Sequence, residues 1–128
     1  MPPTVLVVED DRALRDLMEL MLTRRGFNVL TASDGMEALE LIRTASPQVI
    51  LLDILLPQMN GLELMRQLQA EAATPAVPII VISALGFREV VQQAIAAGAQ
   101  DFLLKPFDMR LLADKLSRFL PAPGGVGA

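Results

Sequence analysis

The sequence predicts an α/β protein built on a doubly wound parallel sheet. Five short apolar segments of strand character alternate along the chain with five segments of helical periodicity, and the connections between them are short. Strands that alternate with helices in this way pair in parallel, with right-handed crossovers that leave both faces of the sheet covered. A chain of 128 residues has the length of one such domain.

Apolar runs define the predicted strands. The segment 5–8 reads Val-Leu-Val-Val, the segment 28–32 alternates like a half-exposed edge strand, and 48–53 is the most apolar strand. Because a strand covered on both faces is apolar throughout, we expect 48–53 near the centre of the sheet. The last two strands are predicted at 77–83 and 101–105, which completes a flavodoxin-like layout with strand order 2-1-3-4-5.

Apolar residues at helical spacing define the five predicted helices. In the first, Leu14, Met18 and Leu22 recur at the interval of an amphipathic helix, after an N-cap at Asp11. Asp108 can cap the last helix in the same way. The predicted helices run from Asp11 to a stop at Gly26, from Gly35 to just before Pro47, from Leu62 up to Thr74, from Phe87 to Ala97 with a left-handed stop at Gly98, and from Asp108 through Phe119 and Leu120.

The segment after Leu120 differs in composition from the rest of the chain. It reads Pro-Ala-Pro-Gly-Gly-Val-Gly-Ala, a composition that does not form a packed element. We therefore predict one domain over residues 1–120 and a flexible tail or linker remnant over 121–128.

Composition excludes several classes of function. The net charge of −4 and the scattered Lys and Arg residues oppose direct binding of nucleic acid. The chain has no Cys and no His, so thiolate and imidazole chemistry are absent, and no apolar stretch approaches the length of a membrane span. The N-terminus lacks the pattern of a secretion signal, and we expect a cytoplasmic protein.

Polar side chains appear where four of the predicted strands end. Glu9 and Asp10 follow the first strand, Asp53 ends the third, Ser83 ends the fourth and Lys105 ends the fifth. The carboxyl ends of parallel strands share one edge of the sheet, where ligands bind, so we expect these side chains to converge. Three carboxylates in one place require a cation, and a set of oxygen ligands favours Mg²⁺ or Mn²⁺ over zinc.

In these positions the chain resembles the receiver domain of two-component response regulators, including the chemotaxis regulators, over about residues 4–120. The resemblance depends on Val-Val-Glu-Asp-Asp at 7–11, on Asp53 followed by Pro57 and Gly61, on Ser83-Ala84 and on Lys105-Pro106-Phe107. Each motif is at the end of the appropriate strand and in the family's order.

The resemblance implies a role for each residue of the cluster. Asp53 is the expected phosphoacceptor, which receives a phosphoryl group from a sensor histidine kinase or a histidine phosphotransfer protein. Asp10, Asp53 and the backbone carbonyl of Leu55 are the expected metal ligands, and Glu9 acts through water. Lys105 is expected to pair with a phosphoryl oxygen, next to a cis Lys105–Pro106 bond.

The resemblance also implies a conformational switch. The Ser83 hydroxyl is expected to donate to the phosphoryl group, and the ring of Phe102 then turns into the space that the hydroxyl leaves. The family more often has Tyr at this position, so a phenolic hydroxyl is missing here. The fourth helix, fifth strand and fifth helix would change in response and are candidate contacts for an effector protein, a lost C-terminal output domain or a homodimer partner.

Leu55 and Leu85 occupy the two positions that flank the phosphoryl group in the family. Both side chains are apolar and cannot orient a hydrolytic water directly. The resemblance therefore implies slow to moderate spontaneous dephosphorylation.

Other interpretations remain open. Taken alone, Asp53 reads as a turn cap, Ser83 as a strand end and Phe102 as a core residue. A phosphohydrolase with an Asp nucleophile would carry a second Asp where Leu55 stands, and a receiver-shaped interaction module that acts without phosphorylation would normally have lost Asp53, the acidic pair or Lys105. We therefore expect a signalling switch that acts on no independent substrate.

Overall fold

The computed structural model describes residues 2–56, 60–71 and 77–120. Its centre is one parallel sheet of five strands in the order β2-β1-β3-β4-β5. The strands are β1 (Thr4–Val8), β2 (Asn28–Ala32), β3 (Val49–Asp53), β4 (Ile79–Ser83) and β5 (Asp101–Leu104). This is the predicted order, with the half-exposed β2 at one edge and the fully buried β3 in the middle.

Five helices connect the strands and cover the sheet. They are α1 (Arg12–Arg24), α2 (Gly35–Ala45), α3 (Gly61–Ala70), α4 (Arg88–Ala96) and α5 (Met109–Leu116). Asp11 and Asp108 cap α1 and α5 as predicted: Asp11 accepts from the amides of Ala13 and Leu14, and Asp108 accepts from that of Leu111. None of the helices in these described segments has the length and apolar character needed to cross a membrane.

The apolar core lies in two layers, one on each face of the sheet. Because side chains alternate along a strand, Leu6 and Val8 of β1 face one layer while Val5 and Val7 face the other. The first layer packs against α2, α3 and α4, and the second packs against α1 and α5. Both faces of β3 and β4 are therefore covered, which explains why these strands are apolar without alternation.

Two predicted helix ends were wrong. The third helix ends at Ala70, because Glu71 already has an extended backbone (φ −87°, ψ 108°), which does not continue a helix. The fifth ends at Leu116, followed by a turn that still packs Phe119 and Leu120 against the core. The predictions for Pro57, for Ala72 and Thr74, and for the tail at 121–128 lie outside the described residues.

Candidate functional site

The carboxyl ends of four strands bring the predicted polar residues to one edge of the sheet. Asp53 is the last residue of β3 and Ser83 the last of β4, while Glu9 and Asp10 directly follow β1 and Lys105 directly follows β5. Strand register sets this alignment, since Asp53 is level with Ile82 and Ser83 is level with Leu104. The ends of these four strands therefore lie within about two residues of one another along the edge of the sheet.

The three acidic residues form a compact cluster. One carboxylate oxygen from each of Glu9, Asp10 and Asp53 lies within 4.8 Å of the others. Glu9 and Asp53 are only 2% and 4% exposed, whereas Asp10 is open to solvent. The cluster therefore has a buried floor and an open side that small ions can reach.

Lys105 supplies the positive charge of this site. Its ammonium nitrogen lies 2.8 Å from Oδ2 of Asp53, to which it donates a hydrogen bond, and forms an ion pair at 2.7 Å with Oε1 of Glu9. Partial burial by itself would lower the pKa of Lys105, but the contacts with Asp53 and Glu9 outweigh it and the pKa is raised. The Lys105–Pro106 peptide bond is cis, as the resemblance implied.

Glu9 is the acid whose ionisation the fold disfavours most clearly. Burial raises the pKa of Glu9 from 4.5 to about 7, against the opposing influence of the Lys105 ammonium and of the Asp11 amide, which donates to its Oε2 at 3.1 Å. The neighbouring Asp53 carboxylate acts in the same direction as burial and contributes to this raised pKa. In the buried floor of the cluster, the two carboxylates of Glu9 and Asp53 therefore share the single ammonium of Lys105.

The backbone around Asp53 orients its carboxylate. The amide of Leu55 donates to Oδ1 of Asp53 at 2.9 Å, so each carboxylate oxygen has a defined partner, and the Leu55 side chain is 49% exposed beside it. Gly61, at the start of α3, donates its amide to the carbonyl of Ile54 at 2.9 Å. A Cβ at Gly61 would lie 2.7 Å from Cα of Ile54, so the close approach of α3 to this turn requires glycine.

Ser83 and Phe102 lie beside the cluster on β4 and β5. The hydroxyl oxygen of Ser83 accepts from the amide of Leu85 at 2.9 Å, and the side chain is fully buried. Phe102 is half-buried, is level with Val81 in the sheet and packs against the core layer under α4. The Ser83 hydroxyl is thus engaged within the β4–α4 loop here, and its predicted bond to a phosphoryl group stays a prediction.

The contact of Arg15 with the loop that carries Glu9 and Asp10 was not predicted from the sequence. Its guanidinium Nη1 donates to the backbone carbonyl of Glu9 at 2.8 Å and makes a longer contact of 3.5 Å with that of Asp10. The available signal was spacing: an arginine four residues after the N-cap Asp11 lies one turn into α1, within reach of the preceding loop.

The donor set fits a hard divalent cation. All three clustered side chains are carboxylates, and oxygen ligands of this kind suit Mg²⁺ or Mn²⁺. Burial of two of the three carboxylates leaves an excess of negative charge that a cation would relieve. The cluster is therefore compatible with a metal site formed by the residues that the sequence indicated.

Comparison with known proteins agrees with this geometry. The family model described as "Response regulator receiver domain" matches residues 5–117. The response regulator MprA of Mycobacterium sp. (strain KMS) is 39% identical over 123 residues, which cover 94% of this chain and 51% of that protein. The probable transcriptional regulatory protein TcrX of Mycobacterium tuberculosis is 34% identical over 126 residues, covering 96% and 52%. The chain thus spans about half the length of these relatives.

Solved structures show the same fold. The chemotaxis protein CheY4 of Vibrio cholerae has a TM-score of 0.87 and 32% identity, covering 94% of this chain and all of that one. The receiver domain of the Francisella response regulator 1452 has a TM-score of 0.85 and 31% identity, covering 91% and 95%. The family match over most of the chain, together with the sheet order and the acidic edge, shows that the chain belongs to the family of response regulator receiver domains.

Proposed function

We propose that Asp53 is a phosphoacceptor that receives its phosphoryl group from a phosphohistidine of a sensor histidine kinase or a histidine phosphotransfer protein. The observation that carries this proposal is the placement of the Asp53 carboxylate, which is nearly buried between the Lys105 ammonium and the acidic pair Glu9 and Asp10. A carboxylate that only capped a turn would have no need of this charged surrounding.

In the proposed reaction, an oxygen of Asp53 forms a bond to phosphorus as the bond from phosphorus to the imidazole nitrogen breaks. The electron pair of the broken bond stays on the imidazole, and the product on this chain is an acyl phosphate. Both the nucleophile and the phosphoryl group are anionic, so the step depends on positioning and on neutralising charge. A bound Mg²⁺ or Mn²⁺ supplies part of that neutralisation.

Each residue of the site has a proposed task. Lys105 pairs with a phosphoryl oxygen, for which its flexible stem is suited because the contact must move from carboxylate to phosphate. Asp10, Asp53 and the backbone carbonyl of Leu55 hold the cation directly, and Glu9 holds it through water. Backbone amides already donate to one carboxylate oxygen of Glu9 and to one of Asp53, which pre-organises the site.

The proposed output is a change in the surface of α4, β5 and α5. The Ser83 hydroxyl leaves the Leu85 amide to donate to the phosphoryl group, and Phe102 turns toward the vacated space. The two arrangements of Ser83 and Phe102 are in equilibrium even without phosphorylation. A phosphoryl group that makes better contacts with one of them shifts the populations toward that one. The changed surface would contact an effector protein, an output domain C-terminal to residue 120, or a second copy of the chain.

We place this activity in the cytoplasm, without direct contact to nucleic acid or membrane and without turnover of an independent substrate. The chain has 15 Asp and Glu against 11 Lys and Arg, and this acidic balance supports the absence of direct contact with nucleic acid. The match to relatives named as response regulators supports the absence of turnover of an independent substrate.

Incubation with acetyl phosphate and Mg²⁺, read by intact mass, tests the proposal. One added phosphoryl group is expected in the parent protein, lost in Asp53→Asn and retained in Asp16→Asn, a matched change of an exposed acid on α1. An absence of modification in the parent would favour an interaction module that acts without phosphorylation. Turnover of p-nitrophenyl phosphate that depends on Asp53 would favour a phosphohydrolase.

A further inference from the structure

Arg15 connects α1 back to the loop that precedes it. From the first turn of α1, its Nη1 donates to the carbonyl oxygen of Glu9 at 2.8 Å and contacts that of Asp10 at 3.5 Å. The Arg15 amide also donates to the carbonyl of Asp11 at 2.9 Å, the first backbone hydrogen bond of the helix. One residue therefore ties the start of α1 to two consecutive carbonyls of the acidic loop.

The loop between β1 and α1 carries both acidic residues that must face Asp53. The Glu9 amide still donates to Ala32 of β2 at 3.0 Å, so the backbone leaves the sheet just after this point. Beyond it, the Asp11 amide donates to the Glu9 side chain. The Arg15 side chain donates to the carbonyl of Glu9 and makes a longer contact with that of Asp10, so it touches both peptide units that flank the Cα of Asp10.

We propose that Arg15 is a positioning residue for the metal site: it holds the main chain of Glu9 and Asp10 so that their carboxylates meet at Asp53. This inference rests on the proposed function, in which the acidic cluster binds a divalent cation. Arg15 contacts main-chain oxygens of the loop, and its effect reaches the cation through the orientation of the loop. The planar guanidinium suits this task, since its N–H donors lie in a fixed fork.

Charge and positioning predict opposite effects when Arg15 is replaced by a neutral residue. A guanidinium near the cluster repels a cation, so removing its charge alone would tighten metal binding. If Arg15 positions the loop, its loss weakens binding in spite of the charge removed. Arg12 provides a matched control, because it lies in the same first turn of α1 but is 86% exposed and pairs with Asp16.

The experiment measures Mn²⁺ binding to the full chain by electron paramagnetic resonance of the free ion, without any phosphoryl donor. In Arg15→Gln the dissociation constant is expected to rise about tenfold, the lower end of the effect seen when a group supporting a metal ligand is removed. Arg12→Gln is expected to bind as tightly as the parent or more tightly. Arg15→Lys, which keeps the charge but has a single donor group, is expected to lie between the parent and Arg15→Gln.

A second readout needs no metal. Amide hydrogen exchange of Asp11, whose N–H donates to the Glu9 side chain, is expected to speed up in Arg15→Gln and to stay unchanged in Arg12→Gln. Both measurements are made well below the unfolding temperature of each variant, so that a loss of global stability cannot imitate a loss of positioning.

The outcomes separate this inference from the proposed function. If the parent protein binds Mn²⁺ but Arg15→Gln binds it equally well or more tightly, the positioning role is wrong and the metal site stands. If the parent protein fails to bind Mn²⁺, the proposed function is wrong, and this inference is wrong with it.

Discussion

The ammonium of Lys105 lies 2.7 Å from Oε1 of Glu9, although the strands that precede these residues are the first and the last of the chain. In the sheet, β1 and β5 are separated by β3 and β4. The lysine therefore reaches across the edge of the sheet, and its ion pairs connect the end of β5 to those of β1 and β3. It partly compensates a cluster of three carboxylates and leaves a net negative charge that determines how the protein should respond to cations.

Mg²⁺ should stabilise the folded protein, because only the folded chain brings the three carboxylates together. At a free concentration ten times the dissociation constant, the free energy of unfolding should rise by about 1.4 kcal/mol. Thermal unfolding with and without Mg²⁺ measures this change. The response should disappear in Asp10→Asn and persist in Asp16→Asn; an equal response in both variants would place the cation elsewhere.

Leu55 should limit hydrolysis of the proposed acyl phosphate. Its side chain is half-exposed and offers no polar atom to orient water, and its backbone amide donates to the Asp53 carboxylate. Leu55→Asn supplies such a polar atom and should shorten the lifetime of the phosphorylated form severalfold. This change corresponds to a decrease of about 1 kcal/mol in the activation free energy of hydrolysis. The decay of the phosphorylated mass after donor removal gives the lifetime.

The control for this change is Leu20→Asn, which alters a leucine of similar exposure in the middle of α1. Its phosphorylated form should decay at the parent rate. An unchanged lifetime in Leu55→Asn would count against a role for this position.

Gly61→Ala should destabilise the protein by about 1–3 kcal/mol, since the added methyl group would collide with the backbone of Ile54 and Asp53. The displaced turn carries the Asp53 carboxylate, so phosphorylation should slow as well. Chemical denaturation and the rate of modification by acetyl phosphate measure the two effects. Gly86→Ala is the matched control, because the atoms nearest to its methyl group belong to the flexible side chain of Leu104. Equal losses in both variants would refute the argument from backbone contact.

Asp101 should make folding stability depend on pH in the acidic range. Partial burial alone would raise the pKa of Asp101, but bonds from Lys115 and the Phe102 amide and the charges of Lys115 and Arg118 outweigh it and lower the pKa below 3.8. Because the pKa of Asp101 is lowered in the folded state, its stabilising effect is complete at pH values above the pKa of the unfolded chain. The effect is lost as the pH falls through the pKa of the folded state.

At neutral pH, Asp101→Asn should therefore cost about 1–2 kcal/mol of unfolding free energy, and this difference from the parent should shrink below about pH 4. Urea unfolding at a series of pH values measures it. Asp114→Asn changes an exposed acid of α5 and should cost less. A difference that stays constant down to pH 3 would contradict the role of the Asp101 charge.

The fold class and the residues at the ends of the strands could be predicted from the sequence alone. These features follow from local patterns: apolar runs mark the buried strands, apolar stripes mark the helices, and parallel strands expose their carboxyl ends at one edge. The positions of Glu9, Asp10, Asp53, Ser83 and Lys105 at that edge could therefore be predicted without coordinates.

Which atoms contact one another became clear only from the three-dimensional structure. Such contacts depend on the strand register, the backbone direction and the rotamers of the segments that meet. Examples are the ion pair of Lys105 with Glu9, the hydrogen bond from the Leu85 amide to Ser83, and the contact of Arg15 with the loop before its helix. The same holds for the end of α3, which local periodicity placed too late, since the backbone already becomes extended at Glu71. Periodicity reports which face of a segment is buried, whereas three-dimensional packing determines where the segment ends and what each polar group binds.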